Sequence, residues 1–275
     1  MHIFVQKMDG SVEPFERVKL LNSLLSAGAS SKVAEDITKH IEEEIAERKD
    51  IVSTQEIYSH AFEILKHFEK KPVAARYSLK RAILDLGPSG FPFEKFVASL
   101  LVNLGYKNVK NGVHLQGKCT SHEVDVYAEK DGKKIAAELK FHNTAGFKTD
   151  LKVALYVHAR FSDLIKAEHT IDEGWLITNT RFTNNAKKYA RCANLNLLGW
   201  DYPQGNSLSE IIEKASVHPI TALTSINSNE KEMLIDNGFM LCKEVLEFTK
   251  EHGQLPVKVK NQKEVLAEIR ELCAK

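Results

Sequence analysis

The chain has 275 residues, a length that suggests two domains with a third, smaller element. Its hydrophobic content of 43% and charged content of 27% are those of an ordinary globular protein and indicate neither disorder nor a membrane protein. The formal net charge of +1 says little about nucleic acid, because binding requires a local basic surface rather than an overall excess.

Localisation and redox state follow from what the sequence lacks. The longest uncharged apolar runs, such as 96–104, are far shorter than the roughly 20 residues that span a bilayer. The N-terminus has no signal-peptide pattern, and the cysteines form no CxxC pair, so neither a zinc ribbon nor a disulfide framework is indicated. We therefore expect a cytoplasmic protein with reduced cysteines.

The first segment has a mixed strand and helix pattern. Two short strand-like runs flank Asp9-Gly10 and predict a β-hairpin. Apolar residues at helical spacing then predict three helices, whose stripes lie at 18–25, 33–45 and 57–68. Ser53 and Glu56 form a capping-box pattern that starts the third helix. A fourth helix should follow Pro72 and end at the Gly-Pro pair 87–88.

This pattern, with KMDGSVEPFERVKLLNSLLSA at the front and VAARYSLKRA at the back, resembles the ATP-cone domain over residues 1–88. The resemblance implies a regulatory site for ATP or dATP, in which converging cations neutralise the phosphates. The residues that match the family's ligands by position are Val5, Lys7, Glu13, Lys19, Thr54, Arg76 and Lys80. The family usually has Arg where this chain has Met8, which removes a phosphate donor. The alternative is a degenerate cone kept for dimerisation only.

A second hairpin is predicted over 122–142, after a core-facing helix that stops at Gly105 and a strand over 109–115. Asp131-Gly132 is a type I′ turn signal between two runs of alternating polarity. With this turn as the loop, one face carries the apolar pairs Ala128 with Ile135, Val126 with Ala137, and Val124 with Leu139.

The other face of this hairpin concentrates charge. The register places Asp125 opposite Glu138 and Glu123 opposite Lys140. Opposed carboxylates repel, and a divalent cation such as Mg²⁺ would compensate them. Lys140 points to the same side as Glu138, where an ammonium can hold an attacking water or neutralise a phosphorane-like transition state. The alternative is a solvated hairpin face with a Glu123–Lys140 ion pair.

The segments that follow alternate between helix and strand, which predicts a mixed sheet with helices on its faces. They lie at 151–165, 174–179, 183–193 and 195–200. This order, and the spacing of Asp125, twelve residues and then Glu138-Leu139-Lys140, resemble the D…ExK signature of the PD-(D/E)XK nuclease superfamily. More narrowly, FEKFVASLLVNLGY, HEVDVYAEKDGKKIAAELKF and WLITNTRFTNNAKKYA resemble the Mrr-like restriction endonuclease branch.

The nuclease resemblance implies a metal-dependent active site. Asp125 and Glu138 match the metal ligands, Lys140 matches the catalytic lysine, and Glu94 matches a first-helix acid that often completes the metal site. For Glu94 the alternative is a solvated helix residue. Residues that could contact the nucleic-acid backbone are His142, Asn179, Thr180 and Lys187.

The last segment, 204–275, is predicted to be mostly helical, with a cap at Ser207 and a helix pair broken at 236–238. The pair is faintly like a helix-hairpin-helix DNA binder, and the alternative is an ordinary packing pair. The predicted fold class is α+β / α/β: an ATP cone (1–88, a hairpin plus four helices), a PD-(D/E)XK mixed sheet (89–203) and a helical C-terminal extension (204–275).

Together these features predict an endonuclease that hydrolyses phosphodiester bonds with Mg²⁺ or Mn²⁺, acting on DNA rather than RNA and regulated by ATP or dATP. No Walker A loop is present, so ATP would be sensed and not used as fuel. A homo-oligomer, dimer or tetramer, is expected. The rival hypotheses are a nucleotide-responsive DNA-binding regulator whose nuclease fold is inactive, and a dimerising scaffold.

Overall fold

The structure is a computed structural model that describes residues 3–7, 10–48, 50–69, 71–87, 89–144, 146–167 and 170–274. Its strands are β1 (Phe4–Gln6), β2 (Val12–Pro14), β3 (Val52–Ser53), β4 (Lys107–Gln116), β5 (Ser121–Lys130), β6 (Lys133–Lys140), β7 (Lys148–Thr149), β8 (Glu173–Thr178), β9 (Arg181–Phe182) and β10 (Asn196–Leu198). Its helices are α1 (Arg17–Ser26), α2 (Ser31–Glu47), α3 (Thr54–Phe68), α4 (Lys71–Tyr77), α5 (Leu79–Leu84), α6 (Phe91–Asn103), α7 (Leu151–Lys166), α8 (Asn184–Cys192), α9 (Leu208–Lys214), α10 (Ser228–Asp236), α11 (Cys242–His252) and α12 (Gln262–Cys273).

The N-terminal unit packs a small sheet against the first four helices. Strands β1 and β2 form the predicted hairpin with Val5 opposite Glu13, although Met8 and Asp9 lie outside the described residues. Strand β3, which the sequence did not reveal, pairs in parallel with β1 through Val5 and Val52. The predicted capping box begins α3, because the Ser53 side chain and Glu56 bond to each other's backbone N–H. One buried cluster joins these elements.

The predicted fourth helix is divided into α4 and α5 at Ser78. The Ser78 hydroxyl donates to the carbonyl oxygen of Ala75 at 3.0 Å, a local bond that competes with regular helix hydrogen bonding. The division changes which core each part joins. Helix α4 contributes Val73 and Ala74 to the N-terminal core, whereas Leu79 and Ile83 of α5 belong to the core of the central sheet.

The central sheet has the strand order β10-β8-β6-β5-β4. Strands β6, β8 and β10 run parallel, and β4, β5 and β6 pair antiparallel. One face packs against α6, through Phe93 and Phe96, and the other against α7, through Val157 and Phe161. The predicted mixed sheet with helices on its faces is therefore confirmed.

The hairpin of β5 and β6 has the predicted turn and register. Asp131 and Gly132 both have positive φ, 51° and 79°, as a type I′ turn requires. Ala128 pairs with Ile135, and Val126 with Ala137, as the apolar pattern predicted. The paired residues of this hairpin end at Val126 and Ala137, one step before the two acids.

The C-terminal helices pack on the end of the N-terminal unit. The Thr221 hydroxyl, in a 3₁₀ turn, donates to the carbonyl oxygen of Ala82 in α5 at 2.6 Å. Helices α10, α11 and α12 share a buried cluster with Ala75 and Ala82. These contacts are those of an ordinary helical packing pair rather than of a free DNA-binding hairpin. Of the helices in the described ranges, none is long and apolar enough to cross a bilayer.

Candidate active site

The predicted acids meet where strands β5 and β6 stop pairing. The backbone N–H of Leu139 donates to Oδ2 of Asp125 at 2.6 Å, so the Asp125 carboxylate replaces a backbone partner at this point. This bond fixes Asp125 beside Glu138, the residue that precedes Leu139. The strand ends therefore place the two carboxylates of the D…ExK pattern next to each other.

Glu138 is almost buried, with 5% of its surface exposed, and its carboxylate is held by two cations. Its Oε1 lies 2.6 Å from Nζ of Lys140, and its Oε2 lies 2.6 Å from Nη1 of Arg160. Arg160 also donates from Nη2 to the carbonyl oxygen of Glu123. A carboxylate so far from water requires compensation of this kind, because an unpaired buried charge is costly.

Arg160 is a site residue that the sequence interpretation missed. It lies on α7, and its guanidinium joins this helix to the ends of both hairpin strands. One sequence signal could have found it. Arg160 comes three residues after Val157 and four before Leu164, both buried, so it lies at the edge of the apolar stripe of a helix that packs on the sheet.

Glu94 faces the same acids from the first turn of α6. Burial raises the pKa of Glu94, and repulsion from Asp125, Glu123 and Glu138 raises it further, against a smaller opposing effect of Lys140. Mutual electrostatic effects of this kind require proximity. The structure thus brings together Glu94, Asp125, Glu138 and Lys140, as the sequence predicted, and adds Arg160.

Burial also raises the pKa of Asp125, with repulsion from Glu138 acting in the same direction and the bond from the Leu139 N–H acting against it. Because the pKa is raised on folding, the charged carboxylate destabilises the folded protein at neutral pH. That cost disappears as the pH falls through the raised pKa, since the folded state then takes up a proton more readily than the unfolded state.

We therefore expect Asp125→Asn to raise the Tm of the metal-free protein at pH 7.5. The Asn oxygen can still accept the bond from the Leu139 N–H. The gain should shrink as the pH is lowered towards the raised pKa of Asp125, because the wild-type carboxyl then takes up a proton. Thermal denaturation in the presence of a chelator, at pH 7.5 and at a series of lower pH values, measures the difference. A lower Tm for Asp125→Asn at pH 7.5 would contradict this account.

The donor set suits a hard divalent ion. Mg²⁺ and Mn²⁺ prefer carboxylate oxygens, and three elements of this fold each contribute one acid. Within the part of the chain that the structure describes, however, the carboxylates of Glu94, Asp125 and Glu138 do not form a group whose ligand atoms all lie within 4.8 Å of one another. The residues fit the ion in chemistry, and Lys140 and Arg160 occupy the oxygens of Glu138 in this arrangement.

A pocket of about 230 Å³ lies in the N-terminal unit, apart from the acidic site, and most of the residues predicted to bind nucleotide line it. Val5, Glu13, Lys19 and Thr54 line it. Lys7 is next to it, because its Nζ lies 2.8 Å from Oε2 of Glu13. Two stacked rings, Tyr58 and Tyr77, also line the pocket with centroids 5.1 Å apart, and the sequence interpretation did not include them.

Two predicted nucleotide ligands are not among the residues that line this pocket. Nε of Arg76 donates to the carbonyl oxygen of Ala27 at the end of α1, at 2.8 Å. Nζ of Lys80 lies 6.0 Å from the ring centroid of Trp200, and burial lowers the pKa of Lys80. Arg76 and Lys80 lie in different helices, α4 and α5, on either side of Ser78.

Two of the four residues proposed to contact the nucleic-acid backbone need correction. Asn179 and Thr180 are buried, with 1% and 0% exposed, so they cannot reach a nucleic acid. Asn179 instead bonds to the backbone N–H and carbonyl oxygen of His142. The His142 ring contacts the Thr149 hydroxyl at 3.0 Å. Lys187 is half-buried, with its Nζ 4.7 Å from the Tyr202 ring centroid.

Comparison with known families agrees with this architecture. The chain matches an ATP cone domain over residues 3–85, a restriction endonuclease domain of the Mrr type over 87–203, and an AF1548-like C-terminal domain over 218–273. The chain is therefore an ATP cone joined to a restriction-endonuclease-like domain and a helical C-terminal domain.

Two relatives identify the family more closely. An uncharacterized protein of Archaeoglobus fulgidus is 36% identical over 177 residues, which are 64% of this chain and 99% of that protein. The crystal structure of AF1548, a protein of unknown function, is 34% identical with a TM-score of 0.55 and covers 67% of this chain and 98% of its own. The chain belongs to the AF1548-like family. A repair endonuclease from Pyrococcus abyssi is more distant, with 22% identity over 34% of this chain and 37% of its own, and a TM-score of 0.27.

Proposed function

We propose that the protein is a metal-dependent endonuclease that hydrolyses phosphodiester bonds in DNA and is regulated by ATP or dATP bound to its cone. One observation carries the proposal. Asp125 and Glu138 lie together where two neighbouring strands separate, with Lys140 on one oxygen of Glu138 and Glu94 facing them from α6. The restriction endonuclease domain over 87–203 favours DNA as the substrate.

Each side chain has a distinct role in this proposal. Asp125 and Glu138 would hold Mg²⁺ or Mn²⁺, with Glu94 as the third carboxylate. The bound ion would supply Lewis-acid polarisation of the phosphodiester. Lys140, with a third of its side chain exposed, neutralises the negative charge that develops on the phosphate. Arg160 binds Oε2 of Glu138 and is a positioning residue.

The proposal is tested by incubating the purified chain with supercoiled plasmid, single-stranded DNA or RNA. Each substrate is tried with Mg²⁺, with Mn²⁺ and with a chelator, in each case without nucleotide, with ATP and with dATP. We expect nicking or linearisation of DNA only when the ion is present. Binding of DNA without cutting under any of these conditions would overturn the proposal and favour the regulator.

A specific observation favours that second candidate, a nucleotide-responsive DNA-binding regulator. Both oxygens of Glu138 are bound to cations of the chain itself, and among the described residues the three acids do not converge to within 4.8 Å. In an inactive fold, Arg160 would replace the metal permanently. In an active enzyme, ion binding would instead displace one of the cations from Glu138.

Regulation by nucleotide is supported by a short path between the pocket and the nuclease core. Tyr77, the last residue of α4, lines the nucleotide pocket. Leu79, the first residue of α5, is packed in the core that contains Phe93, Val126 and Ala137. A nucleotide that moves α4 would therefore act on the sheet that bears the acids.

We expect Lys19→Ala to weaken binding of ATP or dATP at least about tenfold, because the variant lacks the exposed ammonium that would bind the phosphates at the pocket. Lys32→Ala, on the exposed start of α2 away from the pocket, should bind as wild type does. Isothermal titration measures both affinities. Size-exclusion chromatography with each nucleotide should show a change of oligomeric state for wild type, and an unchanged assembly with nucleotide bound would count against gating by assembly.

A further inference from the structure

A separate cluster of side chains lies on the ATP cone, away from both sites described above. His40 and Glu44 are on α2 and His60 is on α3. Each offers one ligand atom, and these atoms all lie within 4.8 Å of one another. None of the three lines the nucleotide pocket. The proposed nuclease and its regulation leave this cluster unexplained.

The packing of two helices produces the cluster. His40 and Glu44 are four residues apart and so lie on one face of α2, one turn above the other. Ile57 and Ala61 of α3 are buried in the core that α3 shares with α2. His60 lies between them in sequence, directly before Ala61. Because Ile41 and Ala61 belong to the same core, the spacing between the two helices is set by packing and not by the polar residues.

The contacts within the cluster are short and open to solvent. Nδ1 of His60 lies 2.7 Å from Oε2 of Glu44, and the side chains of these residues are 40% and 42% exposed. The ring centroids of His40 and His60 are 5.6 Å apart, and the rings meet edge to face. An adjoining groove of about 470 Å³ is lined by two further acids, Glu56 and Glu63, and by Arg48, whose Nη2 lies 3.7 Å from Oε1 of Glu56. With Glu44 the acids that line the groove outnumber this arginine, and a lining of net negative charge attracts cations.

We propose that His40, Glu44 and His60 bind a divalent transition-metal ion of borderline softness, Zn²⁺ being the best match. Two imidazole nitrogens and one carboxylate oxygen suit Zn²⁺, whereas Mg²⁺ prefers a set made of oxygen alone. Tetrahedral Zn²⁺ needs its ligand atoms about 3.3 Å apart, a contraction that rotamer changes of exposed side chains can provide. Water completes the coordination on the open side.

A metal at this position would tie α2 to α3. The same α3 begins at Thr54, which lines the nucleotide pocket, and follows β3, which pairs with β1. Since the metal would bind the folded cone and not the unfolded chain, Zn²⁺ should stabilise the protein, and above its Kd the gain should grow with the logarithm of the Zn²⁺ concentration. The site is therefore a structural clamp on the module that senses nucleotide.

The proposal is tested by chemical footprinting of the full chain. Diethyl pyrocarbonate modifies accessible histidines, and peptide mass spectrometry locates each modified residue. We expect micromolar Zn²⁺ to protect His40 and His60 while His67, exposed about two turns further along the same helix, stays reactive. Millimolar Mg²⁺ should protect none of the three. Equal reactivity of His40 and His60 with and without Zn²⁺ would overturn the proposal and leave an ion pair only.

Variants provide a second, independent measurement. His60→Ala and Glu44→Gln should each weaken Zn²⁺ binding at least about tenfold in a competition with a coloured chelator, since even the loss of an outer-shell partner has that effect. His67→Ala is the matched control and should bind Zn²⁺ as wild type does. Glu44→Gln keeps the size of the side chain and removes its negative charge. It remains informative if His60→Ala does not fold. Zn²⁺ affinity unchanged in Glu44→Gln and also in a folded His60→Ala would overturn the proposal.

Discussion

We expect Glu138→Gln to cut plasmid DNA at least about a hundredfold more slowly than wild type with saturating Mg²⁺, the size of effect seen when one preorganised electrostatic partner of a reaction is removed. The amide keeps the shape of the side chain and loses its charge. It can neither hold a divalent ion with Asp125 nor balance Lys140 and Arg160, which both contact the Glu138 carboxylate. Initial rates of nicking on a supercoiled plasmid measure the loss.

The matched control is Glu129→Gln on the same hairpin. Glu129 accepts bonds from the Tyr127 hydroxyl and from Asn108, at the opposite end of the strand from the site. This variant should cut at the wild-type rate. Because Glu138 is buried, losing its charge leaves Lys140 and Arg160 without their anionic partner and lowers stability as well. Circular dichroism at the assay temperature separates unfolding from loss of chemistry.

Lys140→Ala is a second variant that separates unfolding from loss of chemistry. Arg160 still neutralises Glu138 in this variant, and Lys140 is 33% exposed, so the fold should be retained. Cleavage should nevertheless fall, because the ammonium on the exposed side of Glu138 is missing. Wild-type cleavage by both Glu138→Gln and Lys140→Ala would place the chemistry elsewhere.

The sequence was sufficient for the hairpin because its determinants are local. Asp131 and Gly132 specify a two-residue turn, and the turn fixes which side chains oppose each other. One local element still escaped. Strand β3 has two residues, Val52 and Ser53, and is defined by its pairing with β1 some fifty residues earlier, which no periodicity over such a short stretch can indicate.

Arg160 illustrates what a motif cannot supply. It lies 22 residues beyond Glu138, on a different element, and reaches Glu138 only because α7 packs across the sheet. Arg76 and Lys80 stay a prediction as nucleotide ligands, and neither is among the residues that line the pocket. Four residues apart, they share a face in a continuous helix, and the sequence interpretation assumed one. In the structure Arg76 bonds to the carbonyl oxygen of Ala27 at the end of α1, and Lys80 lies near the ring of Trp200.

We expect Gly174→Ala to reduce the free energy of unfolding by about 1–3 kcal/mol or more, as overpacking of a tight core does. Gly174 lies in β8 opposite Ala136, under the ring of Phe161 from α7. A Cβ built on Gly174 would lie 2.4 Å from Cδ2 and 2.8 Å from Cβ of Phe161. The Phe161 Cβ is attached to the helix backbone, so relief requires α7 itself to move away from the sheet.

The control is Gly90→Ala, a substitution of the same size. Gly90 has φ −68° and ψ −22°, which Ala adopts readily, and its added Cβ would meet no atom closer than 3.7 Å. Its Tm should match or exceed that of wild type, whereas Gly174→Ala should lower Tm by about 2–4 °C for each kcal/mol lost. The position of α7 is also the position of Arg160, so Gly174→Ala should impair cleavage even below its Tm. Unchanged stability and cleavage in Gly174→Ala would mean that α7 does not pack on β8 as closely as described, and the assignment of Arg160 to the site would fall with it.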